Sequence, residues 1–296
     1  MTEQDLIEQI TKAILDAEGQ AGGQTGGQTG GRKEEAGGQT GGRREEAGGR
    51  GSAAAERSPD SHPLNPNPYP DSSLTCARIG IGRAGARLRT EDWLRLRADH
   101  AAARDAAFLD VPQEFLQRHQ LRQVQTRCKD RDEFLTRPDL GRLFPQESKA
   151  AIKEINPQPC DVLVYAADGL SSRAVEANAG DCLPILLDGL RQRGLRLGTP
   201  FFVKFGRVAA MEEIAELTGA QVVCVLIGER PGLGSPESMS AYMAYAPKPG
   251  MPEAGRTVVS NIYAGGVPAV EAGAYLAELL GRIFEAKKSG VEFSNG

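Results

Sequence analysis

Few groupings along this sequence have the residue types and spacing that chemistry needs. Histidine, whose ordinary pKa suits it to proton transfer near neutral pH, occurs three times, at His62, His100 and His119. All three precede the part of the chain where strand and helix signals alternate. A Ser-His-Asp or Cys-His arrangement centred there would have no base. The five cysteines, Cys76, Cys128, Cys160, Cys182 and Cys224, are scattered and never form a C-x-x-C pair. Their odd number and spacing argue against a zinc site or a disulfide framework. They read as buried apolar thiols in a reducing compartment. No H-E-x-x-H or other His/Cys metal-ligand spacing occurs. A cleft built by this chain is therefore expected to bind, with the reactive groups supplied from elsewhere.

Two glycine-rich strings carry the binding signals. The first, Gly80-Ile81-Gly82-Arg83-Ala84-Gly85, is a literal G-x-G-x-x-G. A dinucleotide fingerprint needs a helix to open within that loop. Here the helix signal waits until Thr90, Arg87-Leu88-Arg89 intervenes, and no acidic residue follows at the βαβ distance. These glycines read as structural, and a nicotinamide cofactor is rejected. The second string, Gly228-Glu229-Arg230-Pro231-Gly232-Leu233-Gly234, directly follows the most apolar strand signal. Ligands of an open α/β sheet sit at such strand ends, and glycine there lets a large ligand approach the backbone. It is no P-loop, because Lys-Ser/Thr does not follow. Glu229 would accept hydrogen bonds from amide or hydroxyl donors on a neutral ligand and would repel a phosphate. Three more expected strand ends would converge on the same cleft: Asp168-Gly169-Leu170-Ser171-Ser172, Gly206-Arg207-Val208, and Ser260-Asn261 with Gly265-Gly266.

The elements that must position these loops follow from periodicity and punctuation. Strands are expected at 161–167, 200–205, 221–227 and 257–262. Helices are expected at 183–193 and 211–218, and from Pro268 to Lys287-Lys288 with Gly290 as the stop. Ser171 or Ser172 caps the helix that follows the first of these strands. This alternation predicts a Rossmann-like, doubly wound α/β domain over residues 156–296. Residues 74–155 read as a smaller, mostly helical domain. In it Thr90 serves as an N-cap, with Glu91 and Asp92 in the first turn. Leu94, Ala98, Ala101 and Phe108 share one side, and Pro112 ends the run. Arg78, Arg83, Arg87, Arg89, Arg95 and Arg97 crowd this region, as either a solvated face or a surface for a carboxylate-bearing partner.

The first quarter of the 296 residues has a different composition. Between residues 19 and 52 no apolar residue exceeds alanine in size. Such a stretch cannot bury enough surface to offset its ordering entropy, so residues 19–73 are expected to be a disordered Gly/Pro-rich linker. Within it GGQTGGRKEEA (26–36) is followed directly by GGQTGGRREEA (37–47), a length-varying tether unit. Residues 2–18 carry an amphipathic helix signal, Leu6, Ile10, Ile14 and Ala17 on one face and Glu3, Glu8, Lys12 and Asp16 opposite. A formal net charge of −4 gives no reason to expect nucleic acid or an anionic membrane as partner. No apolar run approaches the roughly 18 residues of a membrane span. Glu3, Asp5 and Glu8 have the wrong charge for a secretory or organellar leader, so a cytoplasmic protein is expected.

Taken in order, several strings are similar to one family. They are Ala77-Arg78-Ile79-Gly80-Ile81-Gly82-Arg83-Ala84-Gly85, Ala98-Asp99-His100-Ala101, Leu135-Thr136-Arg137-Pro138-Asp139-Leu140-Gly141-Arg142, Asp168-Gly169-Leu170-Ser171-Ser172, Gly198-Thr199-Pro200-Phe201-Phe202-Val203, the Gly228–Gly234 loop, and Ser260-Asn261-Ile262. Over residues 74 to 290 this set resembles the light chain of ethanolamine ammonia-lyase. The resemblance implies adenosylcobalamin as cofactor and a large-subunit partner that binds ethanolamine and carries the catalytic residues. The reaction implied is radical conversion of ethanolamine to acetaldehyde and ammonia. Carried over by position, the cofactor contacts fall at Val208, Glu229 and Val258. Some members carry a cysteine where this chain has Val258, a change that a backbone contact would survive and a sulfur-specific one would not. The D-x-H-x-x-G pattern of histidine-ligated cobalamin domains is absent, so the lower cobalt ligand would be the cofactor's own benzimidazole. The resemblance also implies that residues 2–18 target the protein to a bacterial microcompartment through a shell protein. The alternative is a non-catalytic assembly or cargo adaptor whose cleft is empty.

Overall fold

The computed structural model describes residues 81–232 and 235–294. The segment 2–18, the linker 19–73 and the opening of the expected helical region lie outside them. The first glycine string makes a hairpin. β1 (Arg83–Ala84) and β2 (Arg87–Leu88) pair antiparallel, and Gly85 turns the chain at φ 63°. That left-handed value suits a two-residue hairpin loop and costs glycine nothing.

α1 (Thr90–Phe108) begins only after this hairpin, with Glu91 and Asp92 in its first turn. Thr90 is its first residue and not its cap; Arg89 holds the N-cap position without a side-chain hydrogen bond. Its buried residues are Ala103 and Ala106, whereas Leu94, Ala98, Ala101 and Phe108 are exposed. The expected apolar side thus faces outward, because the helix packs through small side chains that allow close approach. Pro112 caps α2 (Gln113–Arg118), as its fixed φ favours.

β3 (Arg122–Gln125) adds a strand to a region expected to be mostly helical. Arg122, Gln123 and Gln125 leave Val124 as its one buried side chain. An edge strand needs no more, and so little apolar patterning cannot be read as a strand from sequence. α3 (Arg131–Thr136) is capped by Asp130, which accepts from the Glu133 N–H at 2.8 Å. A 3-10 turn (Leu140–Arg142) leads to α4 (Gln146–Ile155).

The centre follows the expected alternation closely. β4 (Val162–Ala167) is buried throughout and leads into α5 (Ser172–Gln192), capped by Ser171. α5 starts at the expected serine cap and joins it to the expected 183–193 stretch in one helix. It continues through Pro184, which would otherwise be taken as a boundary. β5 (Phe201–Lys204), α6 (Ala210–Thr218) and β6 (Val222–Gly228) come next. β7 (Met239–Tyr245), which the sequence did not predict, precedes β8 (Thr257–Ile262), α7 (Ala269–Ala286) and the short α8 (Val291–Ser294).

Six strands form one mixed sheet in the order β3-β5-β4-β6-β7-β8. β3, β5, β4 and β6 are parallel, while β7 pairs antiparallel with both β6 and β8. β4 and β6 bury both faces, which explains their unbroken apolar runs. On one face Val164, Cys224 and Met243 meet α5 and α7 residues such as Leu186 and Leu280. Gly189 and Gly273 let these two helices approach closely: a Cβ on Gly273 would lie 2.6 Å from the Cys182 carbonyl oxygen. On the other face Tyr165, Val203 and Val225 meet Ile152 of α4 and Met211 and Ile214 of α6. The chain is thus a mixed α/β domain with helices flanking its sheet. Among the described residues no helix is long and apolar enough to cross a membrane.

Candidate functional site

Because β3, β5, β4 and β6 run parallel, the residues that follow them emerge at one edge of the sheet. Asp168 follows β4, Gly206-Arg207-Val208 follows β5, and Glu229 follows β6. β8 runs antiparallel to β7 and so ends at the same edge, with Asn261 at φ 60°. There the Val267 N–H donates to the Asn261 carbonyl at 2.8 Å, and Gly266 packs too tightly for any side chain. The Ser260-Asn261 and Gly265-Gly266 pair thus closes a tight turn.

Glu229 and Val258 meet through a residue that sequence reasoning missed. The Glu229 N–H donates to the Ser238 carbonyl at 3.0 Å, extending the β6–β7 ladder. Val225 pairs with Tyr242, and Tyr242 with Val258. Directly opposed residues share a sheet face and side chains alternate, so Glu229, Tyr242 and Val258 all project to one side. The Tyr242 hydroxyl donates to Glu229 Oε1 at 2.9 Å. Burial, then the Glu229 bond and charge, push the phenol up to about 12, so it remains a donor at any physiological pH. No described residue donates to Glu229 Oε2, which is left to accept from a ligand.

Val208 joins from the turn that leads into α6. Its carbonyl accepts the Met211 N–H at 3.2 Å, and it packs partly buried against the same core layer as Tyr242 and Met251. α6 covers β6 on this face, but beyond it Val258 stays 42% exposed. The Tyr242 ring and Val258 make an apolar shelf with Glu229 at its rim, and Val208 belongs to the core layer on the same face. Beneath it, on the same face, lies Ser240, whose fully buried hydroxyl has no hydrogen-bond partner among the described residues. β8 is the edge strand, and such an edge offers backbone N–H and C=O groups to a ligand. Tyr242 and Ser240 were invisible because β7 was. Their one signal is the alternation in Met239-Ser240-Ala241-Tyr242-Met243.

Other residues that could do chemistry are committed elsewhere. His119 packs against Phe115, ring centroids 4.5 Å apart and planes tilted by 45°, and His100 lies exposed on α1. Cys128, Cys160, Cys182 and Cys224 are free and buried, and burial raises the pKa of each, to about 12 for Cys182. Among the described residues no three His, Cys, Asp or Glu side chains cluster to hold a metal ion. The shelf offers apolar area, a fixed carboxylate and strand-edge groups, which is equipment for holding a large ligand.

Comparison with known proteins decides the family. The family model for the ethanolamine ammonia-lyase light chain (EutC) matches residues 71–294. The chain belongs to the ethanolamine ammonia-lyase light-chain family. Its small-subunit relative in Clostridium tetani is 56% identical over 218 residues, 74% of each chain. That of Fusobacterium nucleatum is 54% identical over 216 residues, 73% of each. The Listeria monocytogenes (serotype 4a) ethanolamine ammonia-lyase small subunit is 50% identical over 219 residues, 74% of this chain and 75% of its own. Light chains of this family work within a cobalamin-dependent lyase complex, a setting in which a shelf without an acid–base set is not an anomaly.

Proposed function

We propose that this chain is the light subunit that holds adenosylcobalamin against the large subunit of ethanolamine ammonia-lyase, with Val208, Glu229 and Val258 as its cofactor contacts. The observation that carries the reading is the shelf itself, where Glu229 is oriented by Tyr242 beside partly exposed Val208 and Val258. The residues fit a corrinoid. A flat ring needs apolar area, and amide side chains around its rim need acceptors. Val208, Tyr242 and Val258 supply the area, and Glu229 Oε2 accepts an amide N–H. The β8 edge pairs with amide groups through its backbone, so valine in place of cysteine at position 258 leaves that contact intact. The bound cofactor supplies the radical chemistry that turns ethanolamine into acetaldehyde and ammonia. This chain orients and shields it, while the large subunit brings the substrate and the catalytic residues.

The sheet is read as Rossmann-like and doubly wound. α5, leaving β4, lies on one face, and α6, leaving β5, lies on the other, which puts the cleft near a switch point. Residues 156–296 are the cobalamin-binding domain in this reading, and residues 74–155 the smaller N-terminal domain. The exposed Trp93, Leu94 and Phe108 of α1, amid Arg95 and Arg97, would face the large subunit. Residues 2–18, tethered by 19–73, would dock a microcompartment shell protein.

The test is corrinoid retention. The complex with the large subunit is loaded with adenosylcobalamin, desalted and read by its visible spectrum. Wild type should retain stoichiometric corrinoid. Glu229→Ala should bind it at least roughly tenfold more weakly, as expected when a charge-assisted hydrogen bond is lost. A Glu229→Ala complex that retains corrinoid like wild type would remove Glu229 from the site.

A further inference from the structure

The shelf depends on two turns, 206–208 and 228–229, keeping a fixed distance, and one buried side chain touches the structure that joins them. Resting on the cofactor reading above, we propose that Asp168, held by Arg131, is a positioning residue that locks the Val208 turn to the Glu229 segment.

Asp168 is 1% exposed and directly follows β4. Its Oδ1 accepts the Gly206 N–H at 3.1 Å. On its other side the turn it opens is wedged against Gly228. The Leu170 N–H donates to the Gly228 carbonyl at 2.9 Å, and the Ser171 N–H to the Asp168 carbonyl at 3.2 Å. A Cβ on Gly228 would lie 1.9 Å from the Ser171 carbonyl oxygen. The turn carrying Val208 and the residue before Glu229 are thus both anchored on 168–171.

Arg131 fixes this anchor from α3. Its Nη2 lies 3.2 Å from Asp168 Oδ2. The guanidinium also donates to the carbonyls of Leu109, at 3.0 Å, and Gly169, at 3.4 Å. It lies over the Phe205 ring, 4.9 Å from the centroid. Phe205, the residue before Gly206, has φ 58°, a strained backbone for a side chain of its size. Its carbonyl accepts from the Thr126 hydroxyl at 2.9 Å. Strain of this kind persists only where the surroundings over-determine it and gathers at functional sites. A buried ion pair is in itself weak evidence for stability. Here it sits under both ligand-bearing turns, beside the strained residue.

The groups facing Asp168 are Arg131 from α3, Arg207 from the turn after β5 and Cys128 from the connection after β3. Asp110 pairs with Arg131 on its far side, and Lys204 pairs in turn with Asp110. Burial drives the Asp168 carboxyl up to about 6, against Arg131 and the backbone N–H groups of Phe205, Gly206 and Gly169. The charged carboxylate that grips Arg131 is therefore lost in mild acid.

The experiment uses the full chain assembled with the large subunit and titrated with cyanocobalamin, followed by absorbance between pH 5.5 and 7.5. Asp168→Asn keeps an acceptor for Gly206 but not the charge. It should raise the cyanocobalamin Kd roughly tenfold at pH 7.5, the scale of a supporting-residue loss. Wild-type affinity should fall toward pH 5.5, while the variant's stays flat. In turnover the KM for adenosylcobalamin should rise more than kcat falls. Arg131→Lys, which keeps the charge and loses the fork, should lie between the two. Glu229→Gln is measured alongside to separate the outcomes. If Glu229→Gln weakens binding and Asp168→Asn does not, the positioning role is overturned and the cofactor reading stands. If neither weakens it, both fall. If Asp168→Asn does not assemble, Arg131→Lys decides: an unchanged Kd and pH profile overturn the proposal.

Discussion

At the scale of single residues, the sequence singled out Glu229 from its place after an apolar strand and passed over Tyr242, its hydrogen-bond partner. The difference is physical. Gly228 and Gly232 punctuate the Glu229 loop and mark it as a place of close approach, whereas Tyr242 lies inside a strand whose alanines and methionines carry little β signal. Asp168 was named as a strand end, but its pairing with Arg131, 37 positions earlier, has no sequence signature. That pairing has a measurable consequence. Burial first, outweighing Arg131, lifts the folded-state pKa of Asp168 from 3.8 to about 6. Between those values the folded chain holds a proton that the unfolded chain has released, so this group's contribution to stability falls as pH rises from 4 to 6 and is level above. The span of about two units corresponds to about 3 kcal/mol as an upper bound. Thermal melts of wild type and Asp168→Asn should show the variant gaining on wild type by up to that amount from pH 4 to 6. A gap constant across that range would mean that Asp168 ionises as an ordinary carboxyl.

At the scale of elements, the core of the sheet was legible because β4, β5 and β6 are bracketed by turn residues and buried on both faces, which leaves unbroken apolar runs. Its margins were not. β3 contributes one buried side chain, and β7 follows Gly-Ser-Pro and alternates weakly. The start of α5 was legible from its Ser171 cap and its end from Gly194, and the helix carries Pro184 on its exposed side. The outward apolar side of α1 was read as the packing side, since periodicity does not say which neighbour a stripe will meet. The tightest junction between elements is Gly228 against the turn opening α5, where the contacts are backbone atoms unable to rotate away. Gly228→Ala should therefore destabilise the fold by about 3 kcal/mol or more, by overpacking and forced backbone movement. Denaturant melts of the isolated variant would check this, and a loss under 1 kcal/mol would show that the turn shifts freely.

At the scale of the whole molecule, the family was legible because its strings lie in one order and frame over residues 74 to 290, and the family model covers 71–294. The strands that bring Tyr242 and Val258 to the same face as Glu229 are separated by long loops in sequence, so only the sheet register could show it. Residues 2–18 stand apart from this domain in sequence, joined through the glycine-rich repeat. Removing them should leave ammonia-lyase activity of the complex unchanged and abolish its capture in microcompartments, as followed by co-sedimentation with shells. Retained capture would place the targeting signal elsewhere.

The central claim is that this chain completes a lyase by holding its cofactor. Its most direct test is ammonia release from ethanolamine, by the large subunit alone, this chain alone and the co-purified complex, each with and without adenosylcobalamin. The account predicts release only from the complex with the cofactor, falling when Glu229 is changed. Equal release from the large subunit alone, or a stable complex that neither binds corrinoid nor releases ammonia, would contradict it.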